Sequence, residues 1–178
     1  MVEYFIHVEK AWDEKTWNNL TEFIKNHKCY LFLMTPNYYY QYSVLGYRGS
    51  EEELEKILKE RYTYLISLKE RHNYKIGIHI HFSLNPKELL KEEKKKILIE
   101  NISWLSKFHW IDKIVSFGWF KSDEYLKNLC KEFNFEIKHY APFVINVHDY
   151  DLPLSFTKKI ENFIKDILRR LFRNENCR

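Results

Sequence analysis

The sequence predicts an α/β fold built as a small deformed or incomplete (β/α) barrel, with about six mainly parallel strands and covering helices. Three observations carry that expectation. Short β-rich apolar runs alternate with long segments of helical periodicity, the order of a parallel sheet with crossover helices. The first strand-to-helix turn, KAWDE at 10–14, holds no glycine, so the fingerprint of a doubly wound dinucleotide-binding sheet is absent. Several runs place histidine near their C-terminal ends, where barrels and open α/β sheets carry their sites. With 178 residues, the chain fits one domain over 1–178.

The elements follow in order. The first run is Glu3–Glu9 (EYFIHVE), and a helix follows from Asp13, a candidate N-cap, to His27. The second run is Cys29–Pro36 (CYLFLMTP), followed by a tyrosine-rich loop from Asn37 to Ser50. Ser50 with Glu53 forms a capping box that opens a helix to about His72. The third run is Tyr74–Ser83 (YKIGIHIHFS). Asn85, Pro86 and Glu88 then announce a helix carrying Leu89, Leu90, Ile97, Ile102, Leu105 and Phe108. After the fourth run, Lys113–Phe120 (KIVSFGWF), Ser122 caps a helix through Phe133. The fifth and sixth runs are Phe135–Tyr140 and Phe143–His148. A last helix spans Ser155 to Arg173, with Phe156, Ile160, Phe163, Ile164, Ile167 and Leu171 at helical spacing. Lys158, Lys159, Lys165, Arg169 and Arg170 lie mostly off that stripe, as on a closing helix with one solvated face.

Composition narrows the function classes. The chain is 45% hydrophobic and 30% charged, which excludes disordered and low-complexity classes. A formal charge of +4, with 29 basic residues mixed among 25 acidic ones, argues against a nucleic-acid partner. Cys29, Cys130 and Cys177 have neither zinc-finger spacing nor a disulfide framework, and reduced thiols fit a cytoplasmic protein. The N-terminal residues lack a signal-peptide core, and no run approaches 18 apolar residues, so no membrane partner is expected.

The eight histidines are more informative. Alternate strand residues share a face. His7 therefore lies with Glu9, His79 with Gly77, His81 and Ser83, and His148 with Asn146. Two imidazoles two residues apart on a strand stand roughly 6–7 Å apart along it and suit one zinc or iron ion. His79 and His81 are thus candidate metal ligands, with His7 or Glu9 as a third. Hydrogen-bonded structural histidines are the alternative. His148, in INVHDYD, is a candidate general acid or base. Asp149 and Asp151 stand where they can orient it or cap the last helix. Tyr38 and Tyr40, in the tyrosine loop, and Trp119, at the end of the fourth run, are candidate substrate contacts, with a packed surface loop and a core position as the respective alternatives.

Two of these segments resemble a known family. YKIGIHIHFS is similar to the metal-binding "EIGxHxxxH/S" strand of polysaccharide deacetylases, with His79 and Ser83 at the matching spacing and His81 as an added ligand. INVHDYD resembles the late "LxxH" strand of that family, which implies a general-acid role for His148. CYLFLMTP resembles its "xATFFV" strand, and FGWF takes the place of its later substrate-loop motif. The resemblance implies a deformed (β/α) barrel and a divalent metal, zinc first. It implies a hydrolase acting on an amide or acyl group, as in deacetylation of a sugar derivative. Where the family carries paired aspartates this chain has IHVE, so His7 would serve as ligand and Glu9 as the base. The arginine expected near FGWF is missing, and the chain is short for the family. Amidohydrolase-like and phosphoesterase barrels also use HxH, usually on the first strand rather than the third. The non-enzyme alternative is a catalytically degenerate barrel that binds a carbohydrate or a protein.

Overall fold

The structure, a computed structural model, describes residues 3–72, 74–82, 89–108, 111–118, 122–138 and 144–173. Six strands form one sheet: β1 (Glu3–Val8), β2 (Cys29–Met34), β3 (Lys75–Ile80), β4 (Ile114–Phe117), β5 (Glu136–Ile137) and β6 (Val144–His148). Their order is β5-β4-β3-β2-β1-β6, and every pairing is parallel. The sheet curls into a half-barrel with helices around it. The helices are α1 (Glu14–Asn26), α2 (Tyr38–Ser43), α3 (Glu51–His72), α4 (Lys91–Leu105), α5 (Glu124–Glu132) and α6 (Phe156–Arg173). The incomplete α/β barrel is thus the observed architecture. No helix among the described residues is long and apolar enough to cross a membrane.

Strand parity sorts the core into two layers. One face presents Tyr4, Ile6, Val8, Leu31, Leu33, Ile76, Ile78, Ile80, Val115 and Phe117 to the helices. They pack there against Leu20 and Ile24 of α1, Leu54, Leu58 and Tyr62 of α3, and Leu126 of α5. The concave face starts apolar, with Phe5, Phe32, Ile114 and Val144 clustered at its base. Two residues further along their strands stand His7, Ser116 and Asn146, joined by His79 of β3, which pairs with Ser116. The next positions are Glu9, His81, Gly118 and His148. An apolar floor therefore carries a polar upper half, as the alternation of each strand requires.

Several boundaries differ from the expectations. The tyrosine loop contains α2, because the Asn37 carboxamide accepts from the Tyr40 amide at 3.1 Å and caps it. The N-cap of α5 is Asp123, whose carboxylate accepts from the Leu126 amide at 2.9 Å, not Ser122. The helix expected from Asn85 is described from Lys91, and 83–88 lie outside the described residues. The fifth strand has two residues. The apolar stripe of α6 is half-covered: Ile160 is 43% exposed and Ile164 48%. This helix packs on β6, an edge strand that offers it only one flank.

Gly77 lies on the concave face beside the apolar floor. A Cβ there would stand 2.4 Å from Ile114 Cγ1 and 2.6 Å from the Ile114 carbonyl oxygen. The backbone atom cannot move aside without shifting β4. Gly77→Ala should therefore lower the unfolding free energy by about 1–3 kcal/mol, read from the urea midpoint. An unchanged midpoint would contradict this packing.

Candidate metal centre

Glu9 directly follows β1 and is fully enclosed. Three neighbours fix its carboxylate. Oε1 lies 2.9 Å from His79 Nε2 and 2.8 Å from His81 Nε2, and these two nitrogens are 2.9 Å apart. Oε2 accepts from the Tyr40 hydroxyl at 3.2 Å. The HxH of β3 thus converges as parity predicts, with side chains closing the distance that the backbone leaves.

The tautomers define the chemistry. His79 Nδ1 faces the Ser116 carbonyl at 3.1 Å and so carries the proton. Burial lowers His79 to about 4, against the facing Glu9 carboxylate, which favours its charged form. It is neutral near pH 7, and its Nε2 lone pair points at Glu9 Oε1 and His81 Nε2. Burial also works against the charge of Glu9, but the facing imidazoles of His79 and His81 and the nearby charge of His148 hold it well below the usual carboxylate range. A proton on His81 Nε2 satisfies two edges of this triangle and leaves His79 Nε2 facing Oε1. A cation satisfies all three donors at once. The donor set therefore fits a metal ion, and His7, Glu9 and His79 also have ligand atoms within 4.8 Å of one another. The His7 ring stacks on His79 at 4.3 Å, and its Nε2 lies 3.2 Å from Ser116 Oγ.

Neighbouring elements hold this arrangement. From α2, Tyr40 stacks its ring on His81 at 4.2 Å, and Gln41 donates to the Glu9 carbonyl at 3.0 Å. Asn37 donates to the His81 carbonyl at 3.2 Å. Gly118 makes room for His81, since a Cβ there would fall 2.2 Å from Nδ1. His148 is 39% exposed, with Nε2 3.7 Å from Glu9 Oε1 and Nδ1 3.4 Å from Asp151 Oδ2. Burial would lower its pKa, but Asp151 and the charges of Glu9 and Asp149 raise it. Asp149 is buried, accepting from the Lys10 amide at 2.9 Å and the Tyr150 amide at 3.0 Å. Burial, with the Glu9 charge adding to it, pushes its carboxyl up to about 7, against the amides of Lys10 and Glu9.

His7, Glu9, Tyr40, His79, His81 and His148 all line one cavity of about 360 Å³. Tyr38 lines a neighbouring cavity instead, with its hydroxyl donating to Glu55 at 2.8 Å. Trp119 and Ser83 lie outside the described residues. Sequence reasoning missed Gly118, the clamp by Asn37 and Gln41, and the placement of Asp149. Of these, only the Asn37 cap has a sequence signal, an Asx residue three before Tyr40.

No protein-family model matches the sequence, and a search of curated proteins returns no match. Solved structures do match its fold. A family 4 carbohydrate esterase from Streptomyces lividans superposes with a TM-score of 0.50 at 8% identity, covering 79% of this chain and 62% of that one. A family 4 pseudoenzyme from Bacillus anthracis gives 0.55 at 13%, covering 95% and 61%. The chitin deacetylase from Colletotrichum lindemuthianum gives 0.52 at 9%, covering 93% and 80%. The chain spans less than two thirds of the first two. At these identities the likeness is one of fold, and the fold is polysaccharide deacetylase-like.

Asp149 links the ends of β1 and β6. Asp149→Ala should strand the Lys10 amide and cost about 1–3 kcal/mol of stability, measured by chemical denaturation. A loss below about 0.5 kcal/mol would mean that this link is not structural.

Proposed function

We propose that the protein is a metal-dependent hydrolase of an amide or acyl group, and that its reaction is deacetylation of a sugar derivative. The observation that carries this reading is the triangle of His79 Nε2, His81 Nε2 and Glu9 Oε1 in the wall of an open cavity. His79, His81 and Glu9 would hold the ion, with His7 beside them. Imidazole nitrogens with one carboxylate oxygen suit zinc, iron, cobalt or nickel better than magnesium or calcium, and zinc is the ion proposed. Such an ion polarises a carbonyl and lowers the pKa of water toward about 7.

The remaining roles belong to side chains. The family resemblance implies Glu9 as the base. Its Oε1 lies between two imidazoles and its Oε2 takes the Tyr40 hydroxyl, which supports a ligand role instead. Proton transfer then falls to His148. Asp151 faces its Nδ1, which leaves Nε2 directed into the cavity to accept a proton from water and return it to the leaving amine or alcohol. Tyr150 lines the same cavity and is exposed, so it offers a ring face to a sugar, whereas the Tyr40 ring is buried against His81. The fold shared with carbohydrate esterases and a chitin deacetylase supports the substrate class.

One observation favours a second reading, a degenerate barrel that binds carbohydrate or protein. The aspartate pair implied by the family resemblance is replaced by His7 and Glu9, and one structural neighbour is a pseudoenzyme.

Protein purified without a histidine tag and reconstituted should retain about one equivalent of zinc. Less than about a tenth of an equivalent of zinc, iron, cobalt or nickel would sink the metal reading. Gly118→Ala, by displacing His81, should weaken zinc binding roughly 10–100-fold with the fold intact; unchanged affinity would remove His81 from the ligand set.

His148→Gln should keep the metal and lower kcat on acetylated sugars by about 10²–10⁴. If turnover survives that change, His148 is not the proton carrier. If zinc binds and no acetylated sugar is turned over, the second reading stands.

A further inference from the structure

The lysines of α6 do more than solvate it. Lys158, Asn162 and Lys165, spaced at i, i+4 and i+7, line the cavity that holds the histidine–glutamate cluster. Their present partners are weak or exchangeable. Lys158 Nζ is 3.8 Å from Asp151 Oδ1 and 3.9 Å from Glu161 Oε2, and Lys165 Nζ is 2.7 Å from Glu161 Oε1. Half-exposed pairs of this kind contribute little, so a ligand anion can displace them. The acidic side chains of the cavity are already engaged. Glu9 is turned toward His79 and His81, and Asp151 faces His148. The cavity thus holds the histidine–glutamate cluster and two ammonium groups, with His148 and Asp151 linking Glu9 to Lys158.

We propose that the Lys158–Lys165 wall is an anion subsite, and that the substrate is an acylated sugar bearing a phosphate or carboxylate substituent. The acyl group would lie at the histidine–glutamate cluster and the anionic substituent against α6. Ammonium groups on flexible stems accept either anion, so the shared chemistry is the negative charge. The substrate class rests on the hydrolase reading, whereas the anion subsite stands on the lysines alone.

The test is equilibrium binding, by ligand-observed NMR at low salt, to the zinc-reconstituted protein. The probes are N-acetylglucosamine 6-phosphate, N-acetylmuramic acid and neutral N-acetylglucosamine. At least one anionic probe should bind about tenfold more tightly than the neutral sugar, and which of them does so separates phosphate from carboxylate. The preference should vanish in the Lys158→Gln, Lys165→Gln double variant and persist in the Lys158→Arg, Lys165→Arg variant, with zinc content unchanged in both. Equal affinities, a preference that survives the glutamine variant, or no binding of either anionic probe at about 10 mM would overturn the proposal. If zinc is not retained while the lysine-dependent preference persists, the hydrolase reading fails and the anion subsite stands.

Discussion

A buried carboxylate surrounded by imidazoles is the constraint on which the upper half of this barrel depends. An ionised Glu9 removed from water would be costly if left unpaired. The surroundings are arranged to prevent that. His79 and His81 face one oxygen, Tyr40 the other, and Gln41 the Glu9 carbonyl. Each partner comes from a different part of the chain than β1, so holding Glu9 also fixes α2 against β3. The polar cluster is thereby a structural joint as well as a candidate site.

That joint explains the division of the concave face. The base, built from Phe5, Phe32, Ile114 and Val144, needs no partners and can be packed by volume alone. The upper positions must satisfy every polar atom, which ties side-chain choice to register. His7 pairs with Phe32 and with His148, and His79 pairs with Ser116. A slip of one residue in any of these ladders would turn the imidazoles outward and bring aliphatic side chains into the cavity. The apolar helix-facing residues, Ile6, Ile78 and Ile80 among them, oppose such a slip by the same parity. Site geometry and core packing are therefore set by one register.

The parts readable from sequence are those governed by this two-residue period. It places His7 with Glu9, and His79 with His81, and alternation with helical segments indicates a deformed or incomplete barrel of mainly parallel strands. Contacts set by loops or by the facing of a helix were not readable. Asp13 and Ser50 act as caps as expected, because capping is local. Gly118 clears space for a ring on a different strand, and no local pattern encodes that. Asp149 was assigned to His148 or to the last helix, but it holds the Lys10 amide, 139 residues away in sequence. Lys158 and Lys165 looked like one solvated face because periodicity separates apolar from polar without saying which polar flank meets a cavity.

The same physics separates fold from chemistry in the structural relatives. At identities of 8% and 13% the likeness is one of fold alone, and it leaves the polar upper positions unassigned. At the end of β1 the change is from the aspartates implied by the family resemblance to a histidine and a glutamate. An imidazole in place of a carboxylate removes a negative charge, so the cluster tolerates burial better. One glutamate among several imidazoles also leaves less charge to balance within the cluster than a pair of carboxylates would. The positive wall on α6 can then act on a ligand instead of neutralising the site itself. Substitution at β1 and the lysines at α6 are in this sense one electrostatic arrangement: one acid fewer in the polar upper half makes room for an anion at the rim.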